Sequence, residues 1–418
     1  MTQAYYTGLT GIQSTQTAID VTSDNIANVS TTGFRGNNVE FSSLFEDAMN
    51  TVDKSSMNNT VGKGAVVSST QMIQTQGAIQ QTQTNTDLAI NGDGWFGVQD
   101  ANNNTLYTRA GDFSFDKNSD LVTPDGMYVV GTMAGNIDGT TLTNSVTTTQ
   151  LGTTSTQEKL SFPNTLVYPS IPTQNSSFKG SLDVEDGASN TFVTSVIDSQ
   201  NNQNDLTLKF TKSDPQVLPG MQWDIVATTT SEDGLTTYDT KNAKASFDEK
   251  GGLIANDLTT IDNNGSPITI NLGTKFDGII SNSSPNPVIS ESDGMRAGDL
   301  VGYDINSNAE VIASFTNGQQ SSVGKIALFH FQNDQGLERV SNSKFSTSSN
   351  SGDAMFMQDA NGKDILGTDI LSSALESSNV DLNKSLTELI VFQRSFDSNS
   401  KVMSTADDMM QKALDMDA

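Results

Sequence analysis

The sequence contains no cysteine and only one histidine, His330, among its 418 residues. Without cysteine the chain forms no disulfide, has no thiolate nucleophile and offers no sulfur ligand to zinc or to an iron–sulfur cluster. A single histidine also excludes a metal centre built from several imidazoles. Thiol enzymes and the commonest classes of metalloenzyme are therefore excluded.

Positive charge is also scarce, because 22 Lys and Arg face 49 Asp and Glu, giving a net charge of −27. A polyanion repels phosphate backbones, so we expect no nucleic-acid binding. No apolar run approaches the ~20 residues of a membrane-spanning helix. The first six residues show neither the basic nor the apolar region of a cleaved signal peptide. We therefore expect no membrane insertion and, if the protein leaves the cell, export without signal cleavage.

The beginning of the chain has the periodicity of a helix, from Tyr5 to about Asn28. Apolar residues recur there every seven positions, which is the spacing of a coiled-coil seam. Gly33 lies just beyond, where a left-handed backbone conformation ends a helix easily. The seam residues are Tyr5, Leu9, Ile12, Ile19 and Ile26.

The end of the chain repeats this spacing over a longer stretch, and it predicts one helix from about Asp369 to the C-terminus. Burial of the six seam residues contributes roughly 2 kcal/mol each, about 12 kcal/mol in total. Ordering the backbone costs roughly 1–2 kcal/mol for every residue of the long helix, which is a larger total. We therefore expect both ends to be disordered in a free monomer and helical only in a polymer. The seam residues are Leu375, Leu382, Leu389, Phe396, Met403 and Met410.

Between the two ends the sequence alternates short apolar runs with turn residues, which is typical of β-structure. The predicted fold is mainly β with long terminal α-helices, arranged as discontinuous nested domains with a terminal coiled-coil pair and two β domains. Residues 1–33 and 369–418 form the helical domain, and 34–70 and 351–368 are linker segments. Residues 71–145 and 286–350 form an inner β domain, and 146–285 an inserted outer β domain.

Three short motifs have features of functional sites, and each has a simpler structural interpretation. Gly92–Gly97 fits the dinucleotide pattern GxGxxG, but a strand follows where the motif requires a helix, so we expect a turn. Asp304–Glu310 begins like a calcium loop but has Ala309 at its sixth position and Phe315 at its twelfth, which favours a solvated hairpin. His330 lies in an apolar strand. The sequence predicts no catalytic, cofactor-binding or metal-ligating residue.

Several motifs resemble the rod and hook axial proteins of the bacterial flagellum. The most specific is the run from Asp24 to Phe34, Asp-Asn-Ile-Ala-Asn-Val-Ser-Thr-Thr-Gly-Phe, which is followed by Arg35. Its residues Asn25, Ile26, Ala27, Asn28, Thr32, Gly33 and Phe34 are predicted to link the helices to the β-structure. Further similar segments are Asp87–Phe96, Tyr107–Phe113, Ser314–Gln319, Gly324–Leu328 and Glu376–Leu382.

The resemblance implies a structural role and no enzymatic activity, and the large insert favours the hook branch of this family. Such subunits pass through the flagellar type III export apparatus, add beneath a hook cap, and polymerise into a curved extracellular tube. The tube joins the rod to the hook–filament junction proteins and transmits motor torque as a universal joint, with the helical seams as the polymerisation interface. Two alternatives remain at this point: a distal rod or hook-like paralogue, and a secreted β-type enzyme or adhesin.

Overall fold

The computed structural model describes residues 2–45, 62–185, 190–216, 220–282 and 288–416. Two helices lie at the ends of this part of the chain, α1 at Thr2–Ala27 and α2 at Leu382–Met416. They pack against each other, as the matching terminal patterns predict. Almost everything between them is β-structure, so the predicted class, mainly β with long terminal helices, is confirmed.

In the described part of the chain, a first group of thirteen strands follows α1, of which the first two are long and the later ones short. The long strands β1 and β2 form an antiparallel pair beside α1. Part of the predicted first linker therefore forms a hairpin-like pair, while its residues 46–61 lie outside the described residues. The strands are β1 Asn37–Phe45, β2 Gly62–Met72, β3 Ile79–Gln81, β4 Leu88–Asn91, β5 Trp95–Gln99, β6 Thr105–Thr108, β7 Ser114–Phe115, β8 Leu121–Val122, β9 Tyr128–Met133, β10 Ile137–Asp138, β11 Thr141–Leu142, β12 Glu158–Lys159 and β13 Val167–Tyr168.

The next group of strands forms two sheets around a core of their own. Antiparallel β15–β19 make one sheet, and β14 with β20–β24 make the other, in which β14 runs parallel to β21 and β23. Fully buried Trp223 and Phe210 lie in the apolar cluster between these strands. The strands are β14 Asn175–Leu182, β15 Asn190–Ile197, β16 Gln203–Lys212, β17 Met221–Ser231, β18 Thr237–Phe247, β19 Leu253–Asn256, β20 Thr260–Asn263, β21 Ser266–Asn271, β22 Gly273–Thr274, β23 Asp277–Ser281 and β24 Ile289–Ser292.

The returning strands complete the first β unit. β25–β30 join β5–β13 in a sheet of 15 described strands, whose core contains Phe96, Phe113 and Leu328. Three further pairs, β3–β34, β4–β33 and β31–β32, lie outside that sheet. The strands are β25 Gly298–Ile305, β26 Glu310–Phe315, β27 Gln320–Ile326, β28 Leu328–Phe329, β29 Glu338–Ser341, β30 Lys344–Ser346, β31 Met357–Gln358, β32 Asp364–Ile365, β33 Asp369–Ser372 and β34 Ala374–Glu376.

The predicted start of the last helix was wrong. Residues 369–376, predicted to be helical, form β33 and β34, which pair with β4 and β3. The helix begins only after Asp381, whose Oδ1 accepts hydrogen bonds from the backbone N–H groups of Asn383 and Lys384. A carboxylate in this position caps the free N–H groups of a first helical turn. Leu375 pairs with Gln80 in a sheet and therefore lies off the helical seam.

Strand pairing also shifts where the inserted unit starts. Residues 158–168, predicted to belong to the insert, carry β12 and β13, which pair with β9 and β25 of the large sheet. Their side chains Leu160, Phe162 and Tyr168 belong to that sheet's core. The second core begins only at Phe178. Residues 283–287, which contain the predicted boundary between the insert and the returning part of the inner domain, lie outside the described residues.

Candidate functional site: the helix pair and its junction with the β-strands

Small residues bring α1 close to α2. A Cβ atom added to Gly8 would lie 3.3 Å from the backbone oxygen of Asn399, and one added to Gly11 would lie 2.7 Å from the Asn399 side-chain nitrogen. The most buried residues of α1 continue this stripe, at Ser14, Thr15, Ala18, Thr22 and Asn25. Larger side chains would force the two helices apart, so the stripe sets their spacing.

The hydroxyl-bearing members of the stripe are satisfied within α1 itself. The hydroxyl of Thr15 donates to the Gly11 carbonyl at 2.6 Å, and that of Thr22 donates to the Ala18 carbonyl at 2.8 Å. Such bonds to the preceding turn let a hydroxyl lie in a helix interface without an unpaired polar group. This small-residue contact was missed by the sequence interpretation, which followed the large apolar residues.

The predicted seam residues lie beside this stripe or away from it. Tyr5, Leu9, Ile12, Ile19 and Ile26 of α1 are each half-buried, as are Leu389, Phe396, Met403 and Met410 of α2. Leu382 is exposed, while the fully buried residues of α2 are Ser385 and Ala406. Within one chain the apolar seams are therefore only partly covered.

Two sides of α2 expose apolar side chains to solvent. Leu382, Leu386 and Ile390 are spaced four residues apart and share one side of the helix. Val402, Met409 and Met416 are spaced by seven and share another, with Val391 three turns before Val402. Ile390 and Met409 are each more than half exposed, at 54% and 52%. Contiguous apolar surface of this kind marks a contact site.

The predicted linking motif begins with a buried amide at the end of α1. The side-chain Nδ2 of Asn25 donates to the carbonyl of Asn37 at 2.7 Å, and its Oδ1 accepts from the Asn37 N–H at 2.9 Å. The side chain thus pairs with backbone as a neighbouring strand would. It fixes the helix end to the start of β1.

Glycine is required at position 33 for two reasons. Its φ of +62° lies in the left-handed region, and a Cβ there would lie 2.3 Å from the backbone nitrogen of Ala110. The Gly33 N–H donates to the carbonyl of Glu376 at 2.8 Å. The chain leaving α1 therefore passes tightly between β34 and the loop at residue 110.

A buried charge cluster follows immediately. Arg35 forms an ion pair with Glu376 at 3.0 Å, and Arg109 lies 3.5 Å from the other carboxylate oxygen. All three side chains are almost fully buried. Burial lowers the pKa of Arg109 to about 10, with the neighbouring Arg35 adding to the effect and Glu376 opposing it. Burial likewise lowers the pKa of Arg35, again against the effect of Glu376.

The arginines and Glu376 also hydrogen-bond to backbone groups, and these bonds reach several segments of the chain. Arg35 donates to the carbonyls of Gln74 and Thr75, and Arg109 donates to the Gly92 carbonyl at 2.7 Å. The N–H of Gly77 donates to Glu376 at 2.9 Å. The cluster therefore connects the end of α1, the segment before β3, the large sheet and the strand that leads to α2.

Asn379 extends this junction to the start of the last helix. Its Oδ1 accepts from the Gly36 N–H at 2.8 Å, and its Nδ2 donates to the carbonyls of Ile73 and Thr75, each at 2.8 Å. Every one of these partners is backbone. The segment that leaves α1 and the segment that leads into α2 are thus joined by hydrogen bonds through this one side chain.

Arg339 of β29 contacts the junction from the side of the β29–β30 hairpin. Its guanidinium lies 4.5 Å from the centroid of the Phe34 ring, within cation–π range, and 3.2 Å from the Asp24 carboxylate. Arg109 and Glu376 each lie in one of the family-like segments of the sequence, but nothing in their spacing predicts that they meet. No sequence signal marks Arg339 as a part of this junction.

The three short motifs have defined places among the strands and turns. Gly92–Gly97 joins β4 to β5 without a helix. The Asn306 side chain accepts from the N–H groups of Asn308 and Glu310 inside the hairpin between β25 and β26. His330 is buried, with Nε2 2.8 Å from the Leu366 carbonyl oxygen. Over the described ranges, no three His, Asp or Glu side chains are placed to hold a metal ion.

Family models match three separate segments of the chain. The "Flagella basal body rod protein" model covers residues 6–35, the "Flagellar hook protein FlgE/F/G D1 domain" model covers 89–156, and the "Flagellar basal body rod FlgEFG protein C-terminal" model covers 371–416. The outer two coincide with the helices and their junction. Paired terminal helices enclosing nested β units, together with these matches, define a flagellar axial protein of the rod and hook class.

Full-length relatives narrow this class. The flagellar hook protein FlgE of Borreliella burgdorferi is 31% identical, over 99% of both chains, and that of Escherichia coli is 28% identical over 99% of this chain and all of the relative. The chain belongs to the flagellar hook protein FlgE family, and it is a structural subunit of the hook. The rod-paralogue alternative is not favoured.

A solved structure supports the fold. The crystal structure of Helicobacter pylori flagellar hook protein FlgE2 superposes with a TM-score of 0.53 at 15% identity, covering 71% of this chain and all of that chain. At this identity the likeness concerns the fold alone. In the part of the chain that is described, neither helix has the length and hydropathy needed to cross a membrane.

Proposed function

We propose that this chain polymerises with copies of itself through α1 and α2, which form the inner wall of a tube. The exposed apolar sides of α2 carry the proposal, because a single chain leaves them in water on two separate sides. A helix with apolar groups on several sides is buried by several neighbours. A helical polymer supplies such neighbours to every copy.

The half-buried seam residues supply the rest of this interface. They flank the α1–α2 contact, so a neighbouring copy can cover their remaining surface without disturbing the small-residue stripe. Each additional buried side chain contributes roughly 1–2 kcal/mol. The proposed polymerisation interface consists of Tyr5, Leu9, Ile12, Ile19, Ile26, Leu382, Leu389, Phe396, Met403 and Met410, with Leu375 nearby on β34.

The β units lie outside the tube in this proposal, an inner unit built on the large sheet and an outer unit built on the second core. As a curved tube rotates, outer units approach and separate once per turn. Polar contacts bridged by water exchange at little net cost, which suits a joint that bends and transmits torque. The junction around Arg35, Glu376 and Asn379 would carry force from the wall to these units.

The family assignment extends this proposal to the protein's surroundings. The subunit would pass through the flagellar type III export apparatus, add beneath a hook cap and reside in the extracellular part of the flagellum. Its tube would connect the rod to the hook–filament junction proteins. What supports these partners is membership of the flagellar hook protein family.

Substitutions on the exposed sides of α2 test the interface most directly. Ile390→Asp and Val402→Asp should abolish polymerisation, measured by sedimentation and electron microscopy, while the monomer keeps its thermal unfolding temperature. Leu389→Asp and Ile19→Asp should also abolish assembly, but both residues face the helix pair as well. Leu235→Asp is the matched control, since Leu235 is 86% exposed in the turn between β17 and β18. Normal polymers from Ile390→Asp and Val402→Asp would contradict the proposal.

A further inference from the structure

A cavity of about 520 Å³ with several charged residues in its lining lies where the end of α1 meets the β29–β30 hairpin. Asp24 and Asn28 line it from the helix, Asp112 and Asp125 from loops of the large sheet, and Ser343 and Lys344 from the hairpin. It is separate from the Arg35–Glu376 cluster but shares Arg339 and Phe34 with the outer side of the junction.

Charge inside the cavity is only partly compensated. Asp24 pairs with Arg339 at 3.2 Å, and Asp125 pairs with Lys344. Asp112 has no ion-pair partner among the described residues. Burial raises its pKa, with the nearby carboxylates of Asp87 and Asp125 adding to the effect and a backbone hydrogen bond and the Lys344 ammonium opposing it.

A hydroxyl in the same cavity also has no partner. Ser343 is only 7% exposed, and its Oγ makes no hydrogen bond to the described residues. The backbone at Ser343 and at Asn342 is left-handed, with φ of +57° and +49°. Residues other than glycine enter this region at a cost of roughly 1–2 kcal/mol. The hairpin thus holds an unpaired hydroxyl at the cavity despite backbone strain.

A carboxylate that forms no ion pair among the described residues and a hydroxyl without a partner together suit a donor that carries positive charge. We infer that the cavity binds the ammonium group of a lysine from a second copy of this chain. This inference rests on the proposed function, because it requires copies in contact, and the cavity adjoins the end of α1 at the proposed tube wall. The chain has exposed lysines available for such a contact, including Lys117, Lys209, Lys250, Lys275, Lys401 and Lys412.

Other cations fit less well. The 22 basic residues are 17 lysines and five arginines. Arg35, Arg109, Arg296 and Arg339 already bond within the chain, which leaves Arg394. A calcium ion takes six to eight oxygen ligands, whereas two of the three cavity carboxylates are already held by Arg339 and Lys344. A single ammonium needs only the Asp112 carboxylate and one or two hydroxyl groups.

Zero-length crosslinking of the polymer identifies the partner. Equal amounts of ¹⁴N- and ¹⁵N-labelled protein are polymerised together and treated with a carbodiimide, which couples a carboxylate to a neighbouring amine. Peptides that join Asp112 to a lysine in mixed-isotope pairs should appear in the polymer and be missing from the monomer. A link to Lys344 that occurs in same-isotope pairs and never in mixed pairs reports a contact within one chain.

Asp112→Asn tests the energetic contribution. The variant should keep the monomer unfolding temperature, and its critical concentration for polymerisation should rise about five-fold, as for the loss of one partly buried ion pair. Asp138→Asn is the control, since Asp138 is exposed and lies outside the cavity. It should polymerise like the unmodified chain.

The outcomes separate this inference from the proposed function. A chain that does not polymerise overturns both. A polymer that shows no mixed-isotope link at Asp112, or that is indifferent to Asp112→Asn, overturns the lysine contact alone. Stabilisation of the monomer by calcium or magnesium that Asp112→Asn abolishes would identify a metal site instead, and would overturn the inference too.

Discussion

Arg35 and Glu376 form a buried ion pair at 3.0 Å, which joins the segment between α1 and β1 to β34, the strand before α2. Neither side chain is more than 3% exposed. Removing one member of a buried pair leaves the other charge uncompensated, and this costs far more than loss of a surface pair. The junction between the helices and the β-strands therefore depends on this single carboxylate.

Glu376→Gln should lower the free energy of unfolding by about 3 kcal/mol, because Arg35 and Arg109 would then lose the buried carboxylate that pairs with both of them. Denaturant unfolding measures this value. Glu388→Gln is the matched control, since Glu388 pairs with Lys384 on the exposed surface of α2 at 3.7 Å. That control should change stability by less than about 0.5 kcal/mol. Equal losses in the two variants would show that the buried cluster is not special.

Gly33→Ala should destabilise the protein more than Gly126→Ala. Both glycines have positive φ, +62° and +81°, so both substitutions carry the backbone cost of roughly 1 kcal/mol. Only at Gly33 would the new Cβ meet backbone, at the nitrogen of Ala110, whereas no atom lies within 4 Å at Gly126. The difference between the two unfolding free energies isolates the close packing. A difference near zero would mean that the segment moves aside freely.

Asp198→Asn should reduce stability at neutral pH and weaken the response to acid. Desolvation opposes ionisation of Asp198, but hydrogen bonds from Asn264 and Asn202 outweigh it and lower its pKa. A lowered pKa in the folded state stabilises the protein fully above the unfolded pKa of about 3.9, and this stabilisation is lost as pH falls through the folded value. We expect a loss of about 1–3 kcal/mol at pH 7.

Urea unfolding between pH 7 and pH 3 measures this effect. The unmodified chain should lose stability toward pH 3, and Asp198→Asn should lose less over the same range. Asp257→Asn is the control in the same β unit, since Asp257 is exposed. Parallel pH profiles for the chain and the Asp198→Asn variant would exclude this carboxylate as the cause.

The terminal helices should be disordered in the free monomer and form on polymerisation. α1 and α2 contain 26 and 35 residues, yet α2 buries only Ser385 and Ala406 fully within the described chain. So little buried apolar surface does not offset the entropy of ordering both helices. Circular dichroism at 222 nm should show a clear gain of helix in the polymer. Equal helix content in the two states would rule out this coupling, and unchanged Trp223 fluorescence would confirm that the outer β unit is not involved.

The terminal helices and the class of fold could be predicted from the sequence because periodicity and turn residues are local properties. Seven-residue spacing placed α1 correctly within a few residues. The same spacing predicted too early a start for α2, because Leu375 continues the seven-residue pattern although it lies in β34 and pairs with β3. Long-range strand pairing overrides a local pattern. For the same reason β12 and β13 joined the large sheet, although their composition resembles the insert.

The order of elements, the apolar seams and the motif from Asn25 to Phe34 are fixed by the amino-acid sequence alone, since each depends on residues a few positions apart. The tertiary structure decided that small residues space the helices, that Glu376 meets two arginines, and that Asp112 shares a cavity with Ser343. Those relationships join segments that are distant in the chain. Their geometry follows from how the sheets and helices pack, which no spacing within a single segment encodes.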